Sequence, residues 1–267
     1  MKVAALQTSS TPDPGKNLAT LTSLIAQAAE QGSKLLVLPE ASQRSFGDNS
    51  EPLAPDAEAL DGTFVTSLIR LAEEYRVTIV GGLFEVSEDS LRPYNTTVMV
   101  DHSGIISRYR KIHLYDAFGY QESTGVTPGV LDEDNVCVVQ LGGMNVGIMT
   151  CFDLRFPEMA EWLVERGAEV LVLGAAWVAG ERKIDQWNTL LSARAIETGC
   201  FVVAAAQSAP RYSGNSQILS PSGSKLIGLH QEESGVIVAD LERTTLSQIR
   251  SQMPVAATRR ARSRPLQ

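Results

Sequence analysis

The sequence predicts an α/β fold in which two mixed sheets pack together and are covered by helices. Three observations lead to this prediction. Short apolar runs typical of buried strands alternate with amphipathic helices along the whole chain. Turn residues between several runs indicate additional antiparallel strands. A series of strands and helices in the first half is followed by a similar series in the second half, so two layers of sheet can pack beneath helices.

The first half of the chain contains two predicted helices. Apolar residues recur at helical spacing in a segment that ends near Gly32, and again over residues 64–72. A polar stretch at residues 42–60, rich in Pro, Asp and Ser, predicts a loop before the second helix. Strands are predicted at residues 3–7, 34–39, 77–84, 95–100 and 105–109.

The second half opens with a predicted long loop at residues 115–135 and then returns to the alternation. Strands are predicted at residues 136–141, 145–149, 169–173, 201–206, 217–219 and 235–240. Helices are predicted at residues 158–166 and 187–197 and from Leu241 onward. The tail at residues 246–267 combines a few apolar residues with an arginine-rich end, and it cannot bury much on itself. We therefore expect it to contact a neighbouring subunit.

Composition limits the class of protein. The chain has 267 residues, is 43% hydrophobic and alternates throughout, so we expect one domain spanning residues 1–267. A net charge of −8 argues against nucleic-acid binding, and no apolar run is long enough for a membrane span. Three cysteines without framework spacing indicate a reducing compartment, and the three histidines form no zinc-binding pattern with them. We expect a cytoplasmic protein with no metal ion.

Cys151 directly follows an apolar run, and a polar turn then leads to Pro157, a residue favoured at the first position of a helix. Cys151 should therefore lie at the carboxyl end of a strand and face the start of a helix. A helix N-terminus lowers the pKa of a thiol, which suits a nucleophile. The alternative is a buried structural cysteine. Cys137, placed within a predicted strand, and Cys200, placed at the start of one, suit packing.

Two further ionisable residues end predicted strands. Glu40 follows Pro39, which disfavours continuation of the strand, and Lys111 follows the strand at residues 105–109. Ligand sites of α/β sheets lie at the carboxyl ends of strands, so these residues can meet Cys151. The alternatives are an ordinary loop glutamate and a solvated surface lysine.

The order of these residues and their local sequences resemble the carbon–nitrogen hydrolase (nitrilase) superfamily over nearly the whole chain. Later segments of the chain match as well. The matching segments are Leu38-Pro39-Glu40, Tyr109-Arg110-Lys111-Ile112-His113-Leu114, Cys151-Phe152-Asp153-Leu154-Arg155-Phe156-Pro157-Glu158, Gly214-Asn215-Ser216, Pro221-Ser222-Gly223 and the ending Arg250…Pro254…Arg259-Arg260. The resemblance implies a four-layer α-β-β-α sandwich of two mixed sheets flanked by helices.

The resemblance also implies the catalytic roles. Glu40 maps to the general base, Lys111 to the cation and Cys151 to the nucleophile, while Glu122 maps to a second glutamate found in many members. Amide cleavage needs a nucleophile, a base and donors to the oxyanion, and the Phe152 backbone N–H and Lys111 can supply those donors. Such chemistry proceeds through a cysteine thioester and needs no cofactor.

The residues after Cys151 look like the branch that holds omega-amidase and deaminated-glutathione amidase, which act on small linear amides bearing a carboxylate. An acidic chain must supply a local cation for that carboxylate. The candidates are Arg44, Arg155, Arg182 and Lys183, and Trp177 is a further candidate for substrate contact. Arg155 could equally form a structural ion pair.

Other functions stay open at this point. Within the superfamily, the chain could be an N-carbamoyl hydrolase or a nitrilase. Outside hydrolysis, it could be a non-catalytic binding protein on the same scaffold, or a subunit that supplies ammonia to a separate synthetase. We expect an amidase that forms at least a homodimer.

Overall fold

The computed structural model describes residues 1–47, 51–231 and 233–259. The strands within these ranges are β1 (Lys2–Gln7), β2 (Leu35–Val37), β3 (Thr78–Glu85), β4 (Tyr94–Asp101), β5 (Gly104–Arg110), β6 (Asp116–Ala117), β7 (Tyr120–Gln121), β8 (Val138–Leu141), β9 (Met144–Thr150), β10 (Val170–Ala175), β11 (Phe201–Ala206), β12 (Gln217–Leu219), β13 (Lys225–Gly228) and β14 (Gly235–Asp240). The helices are α1 (Pro14–Glu30), α2 (Thr63–Tyr75), α3 (Pro157–Glu165), α4 (Lys183–Thr198), α5 (Arg243–Gln252) and α6 (Val255–Thr258).

Twelve of these strands form two six-stranded mixed sheets. The first sheet has the order β14-β1-β2-β3-β4-β5, and the second has the order β13-β12-β11-β10-β9-β8. The neighbours β1, β2 and β3 run parallel in the first sheet, as do β9, β10 and β11 in the second. The remaining pairs are antiparallel. The parallel strands of both sheets therefore end at one edge, where loops carry the candidate catalytic residues.

Alternate residues of β1 face two different hydrophobic cores. Val3 and Ala5 pack with the second sheet in the core between the sheets. Ala4 and Leu6 pack against apolar residues of α1 and α2 in a separate core. Because both faces of the strand are buried, its sequence is continuously apolar instead of alternating.

Helices cover the outer faces of the two sheets. α1 and α2 lie on the first sheet, while α3 and α4 lie on the second. α1 starts at an N-cap, Asp13, whose side chain accepts a hydrogen bond from Lys16 N, and its first helical residue is a proline. The predicted four-layer α-β-β-α sandwich is confirmed. Among the described residues, no helix is long and apolar enough to cross a membrane.

Three details differ from the sequence prediction. The loop at residues 115–135 contains the short hairpin β6–β7 and a 3-10 turn at Glu122–Thr124. β13 was not predicted, because it is exposed along its whole length and lacks the apolar pattern of a buried strand. Cys137 lies just before β8, not within a strand.

The described part of the tail packs on its own chain more than its sequence suggested. Leu246 is buried in the larger hydrophobic core, which contains residues of both sheets and of α3 and α4. The Arg250 guanidinium donates hydrogen bonds to the carbonyl oxygens of Gly199 and Ala168, and Arg259 forms an ion pair with Glu161. Residues 260–267 lie outside the described ranges.

Candidate active site

Four predicted catalytic residues meet at the edge where the parallel strands end. Glu40 follows β2, Lys111 follows β5, Cys151 follows β9, and Glu122 begins the 3-10 turn after β7. Lys111 Nζ lies 2.9 Å from Glu40 Oε1 and 2.7 Å from Glu122 Oε2. All four residues line one cavity of about 160 Å³, and the three charged side chains are only 1% exposed. Residues more than 100 positions apart in the sequence thus form a single cluster.

Cys151 is held in a sharp turn. Its φ angle of +47° lies in the left-handed region, which is uncommon for a residue other than glycine. The turn is fixed from both sides, because Thr150 and Asp153 form a reciprocal capping box and the Tyr109 hydroxyl donates to Asp153 Oδ2 at 2.7 Å. Buried hydrogen bonds therefore hold a strained backbone in place beneath the thiol, as is common at functional sites.

Glu40 lies where three segments approach too closely for side chains. A Cβ on Gly82 of β3 would lie 2.8 Å from Ala41 N, and a Cβ on Gly174 of β10 would lie 2.9 Å from Glu40 N. Two glycines thus allow both neighbouring strands to pack against the turn that carries Glu40. The carboxylate is anchored as well, since Ala176 N donates to Glu40 Oε2 at 2.8 Å.

Burial and neighbouring charges set the ionisation of the cluster. Burial alone would lower the pKa of Lys111, but the carboxylates of Glu122 and Glu40 outweigh it and raise that pKa well above its usual value. Burial raises the pKa of Glu122, against the opposing effect of Lys111. Burial and the Glu40 carboxylate raise the pKa of the Cys151 thiol well above its usual value, although Lys111 acts in the opposite direction.

The raised thiol pKa corrects the sequence-based expectation of a nucleophile activated by a helix N-terminus. A 3-10 turn at Cys151–Arg155 separates the thiol from α3, which begins at Pro157. At neutral pH the resting side chain is therefore a thiol, and it needs a base to take its proton. Glu40, which lines the same cavity as Cys151, is a candidate for that base.

Aromatic and cationic side chains line the outer part of the cavity. The cations are Arg155, Lys183 and Arg211. Arg155 lies 4.7 Å above the Trp177 ring, and Lys183 Nζ lies 3.9 Å from the Phe118 ring centroid. The described residues provide no ion pair for any of these three cations. The aromatic lining residues are Phe46, Tyr115, Phe118, Tyr120, Phe152, Trp177 and Tyr212.

The predicted cations for substrate binding separate into two groups. Arg155 and Lys183 line the cavity, as does Trp177. Arg44 does not, because it is buried elsewhere in ion pairs with Asp56 at 2.7 Å and Glu51 at 3.6 Å. Arg182 is also outside the cavity, with an exposed side chain near Asp185. The structure thus brings only two of the four predicted cations to the candidate catalytic cluster.

Sequence reasoning missed Asn95 and Arg211. Arg211 lines the cavity from the segment after β11, and nothing in its local sequence marks it. Asn95 on β4 donates to both Glu40 and Glu122. One feature of the sequence could have indicated Asn95. It is an asparagine near the start of a strand that is otherwise rich in Thr, Val and Met. Among the described residues, no group of three or more His, Cys, Asp or Glu side chains could hold a metal ion.

Comparison with known proteins identifies the family. The sequence profile of the carbon–nitrogen hydrolases matches residues 2–251. This chain belongs to the carbon–nitrogen hydrolase family. It is 39% identical over 260 residues to the deaminated glutathione amidase of Escherichia coli O157:H7, covering 97% of each chain. The resemblance found in the motifs is thereby confirmed, and the enzyme is a carbon–nitrogen hydrolase that acts on amides.

Solved structures agree with the fold. A CN-hydrolase superfamily protein from Xanthomonas campestris, with an arsenic adduct in its active site, superposes with a TM-score of 0.87 at 24% identity and 99% coverage of both chains. A mutant amidase from Nesterenkonia sp. AN1 superposes with a TM-score of 0.80 at 26% identity, covering 95% of this chain and 98% of that one. That structure shows acrylamide added to the active-site cysteine of the Nesterenkonia enzyme.

Proposed function

We propose that this amidase hydrolyses a small linear amide bearing a carboxylate, and that it does so through a thioester on Cys151. The observation that carries this proposal is the buried cluster in which Glu40, Lys111 and Glu122 lie beside Cys151 in one cavity. A cysteine with a raised pKa, a carboxylate within reach of it and a fixed cation are the parts that acyl transfer requires.

The first half of the reaction forms the thioester. Glu40 takes the proton from the Cys151 thiol as the sulfur attacks the amide carbonyl carbon. The oxyanion that develops on the carbonyl oxygen is stabilised by Lys111 and by the Phe152 backbone N–H. Glu40 then passes its proton to the amide nitrogen, the carbon–nitrogen bond breaks, and ammonia leaves with the acyl group bound to sulfur.

The second half releases the acid. A water molecule loses a proton to Glu40 or Glu122 and attacks the thioester carbonyl. The tetrahedral intermediate collapses, the carbon–sulfur bond breaks, and the proton returns to the Cys151 sulfur. The products are a carboxylic acid and the free thiol, so the sequence of steps balances without a cofactor.

The charge of the cavity wall supports a carboxylate on the substrate. Arg155, Lys183 and Arg211 line the cavity, and the described residues offer none of them an ion pair. Burial lowers the pKa of Lys183, and repulsion by the Arg155 guanidinium lowers it further. An anionic substrate group would relieve that repulsion. Trp177 and the other aromatic side chains then enclose the apolar part of the chain.

The experiment is a comparison of kcat/KM for succinamate and butyramide, with ammonia release as the readout. A charge-assisted contact is worth about 1.5–3 kcal/mol, so we expect a preference of roughly ten- to a hundred-fold for the carboxylated amide. Deaminated glutathione, N-carbamoyl compounds and nitriles complete the panel. Equal values for the two amides would remove the carboxylate site, and faster turnover of a carbamoyl compound or a nitrile would reassign the reaction.

A matched pair of variants locates the carboxylate contact. Lys183→Met removes a cation that lines the cavity, whereas Arg182→Met removes its exposed neighbour outside the cavity. We expect Lys183→Met to lose much of the preference for succinamate while it still cleaves butyramide, and Arg182→Met to keep the preference. Arg155→Met and Arg211→Met extend the series to the other two cations.

A further inference from the structure

Asn95 lies between the two carboxylates of the catalytic cluster. Its Nδ2 donates one hydrogen bond to Glu40 Oε1 at 2.8 Å and another to Glu122 Oε1 at 3.0 Å. The residue is 1% exposed, and its backbone oxygen accepts a hydrogen bond from Lys111 N at 2.9 Å. One residue of β4 therefore contacts both glutamates by its side chain and the lysine by its backbone.

The orientation of the Asn95 amide follows from its surroundings. An amide nitrogen has two N–H donors, and both are used by the carboxylates. Turning the amide over would place its oxygen against two carboxylate oxygens, which is repulsive. In the observed orientation Asn95 Oδ1 has no hydrogen-bond partner among the described residues. A buried acceptor without a hydrogen-bond partner destabilises the folded state. Proteins keep such destabilising groups mainly at functional sites.

In this orientation the Asn95 amide directs both of its N–H groups toward negatively charged carboxylates. Glu40 and Glu122 share the single cation Lys111, so the cluster carries one negative charge in excess when both are ionised. Each carboxylate accepts hydrogen bonds from Lys111 and Asn95, and a backbone N–H from Ala176 or Tyr115 completes the set. Donors to an ionised carboxylate favour the ionised form. Asn95 adds a donor to each carboxylate without adding charge.

We propose that Asn95 is a positioning residue that holds the Glu40 and Glu122 carboxylates in place around Lys111 and favours the ionised form of Glu122, so that Glu40 is placed to accept the thiol proton. The inference rests on the base role proposed for Glu40. It assigns to this residue of β4 the task of holding the two carboxylates in place. Asn95 is not itself one of the residues that line the cavity, and it acts on the cavity through Glu40 and Glu122.

The test compares Asn95→Leu, which keeps the side-chain size and removes both donors, with the wild type. The infrared carbonyl band of a buried carboxylic acid, assigned with Glu122→Gln, is followed as a function of pH. We expect the midpoint of protonation to rise by about one pH unit or more in Asn95→Leu, because the ionised forms lose a donor each. In the same variant we expect kcat to fall at least about ten-fold with a smaller change in KM, since the base is misplaced and not the substrate.

Thr96→Val is the matched control. Thr96 is the next residue of β4, is fully buried, and donates a hydrogen bond to Glu85 Oε2 at 2.7 Å. Successive residues of a strand point to opposite faces, so Thr96 lies away from the cluster. Asn95→Leu loses two buried hydrogen bonds and Thr96→Val loses one, so both variants are expected to melt at a lower temperature. Only Asn95→Leu should move the infrared midpoint and the acidic limb of the kcat/KM profile.

The outcomes separate this inference from the proposed function. An unchanged infrared midpoint in Asn95→Leu, or an equal shift in Thr96→Val, overturns the positioning role. The infrared measurement needs no turnover, so it decides the question even if the proposed substrate is wrong. If Asn95→Leu does not fold, Asn95→Asp replaces it. The added carboxylate should raise the infrared midpoint of protonation above that of the wild type. An Asn95→Asp midpoint equal to that of the wild type would equally overturn the proposal.

Discussion

At the scale of single residues, Lys111 is surrounded by carboxylates in a space that suits a compact cation. Its Nζ lies within 2.9 Å of Glu40 and 2.7 Å of Glu122, and it is buried. Arginine is longer and planar and cannot occupy the same point. We predict that Lys111→Arg lowers kcat by at least about a hundred-fold, the scale of losing one oxyanion donor. Lys225→Arg on the exposed strand β13 is the control, and near-normal turnover of Lys111→Arg would show that the cation needs no exact position.

A second prediction at this scale concerns the direction in which the pKa of the Cys151 thiol changes when Glu40 is replaced. Its pKa is raised by burial and by the Glu40 carboxylate, and is lowered by Lys111. Glu40→Gln removes one raising contribution and leaves the lowering one, so the pKa of Cys151 should fall. The thiolate absorbance, taken as the difference from the matching Cys151→Ala protein, should appear at lower pH in Glu40→Gln than in the wild type.

Turnover should change in the opposite direction. Glu40→Gln has more thiolate at neutral pH but no general base to protonate the leaving amine, so we expect a loss of roughly a hundred- to ten-thousand-fold in kcat. A variant that gained activity along with its thiolate would show that Glu40 serves only to tune the thiol.

Glu40, Lys111 and Cys151 were predicted from the sequence because each follows a predicted strand, and ligand sites lie at the carboxyl ends of strands. Glu122 was predicted from the family resemblance alone. Glu40, Lys111, Glu122 and Cys151 do lie together. Their roles stay predictions. The same reasoning could not tell that Arg211 lines the cavity and that Arg44 does not, since both lie in irregular segments. A local pattern does not tell which arginine turns toward the cavity and which pairs with Asp56.

At the scale of elements, the close packing of β3 and β10 against the Glu40 turn leads to a third prediction. Gly82→Ala would place a Cβ 2.8 Å from Ala41 N, and backbone cannot move away as a side chain can. We expect a loss of about 1–3 kcal/mol in unfolding free energy and at least a ten-fold loss in kcat. Gly235→Ala in β14 is the control, because nothing lies within 4 Å of the added Cβ. Equal behaviour of the two variants would contradict the packing argument.

The elements that the sequence predicted well are those buried on both faces. β1 and β10 are continuously apolar because each packs against the other sheet and against helices or turns. The hairpin β6–β7 and the edge strand β13 carry no such signal. They form because neighbouring backbone offers hydrogen bonds, and that information is absent from their own sequence. Glu122 consequently fell in a segment predicted as an irregular loop.

At the scale of the whole molecule, we propose a homodimer or a larger homo-oligomer, and this stays a prediction together with the single domain at residues 1–267 and the cytoplasmic location. The described tail is only partly buried: Leu246 is inside the core, but Met253 is 62% exposed. We expect light scattering at micromolar concentration to give at least twice the monomer mass. Met253→Glu, which places a charge on an exposed apolar residue, should weaken the assembly if the tail contacts a neighbour, whereas a monomeric wild type would contradict the proposal.

The central claim is that Cys151 becomes acylated during amide hydrolysis. Rapid quenching during turnover, followed by intact-protein and peptide mass spectrometry, tests it directly. We predict an added mass equal to the acyl group on the peptide that contains Cys151, and the same adduct in Cys137→Ala and Cys200→Ala. Cys151→Ala should show neither the adduct nor ammonia release. Ammonia release by Cys151→Ala at a rate near that of the wild type, or an acyl group found on a different residue, would contradict a thioester on Cys151.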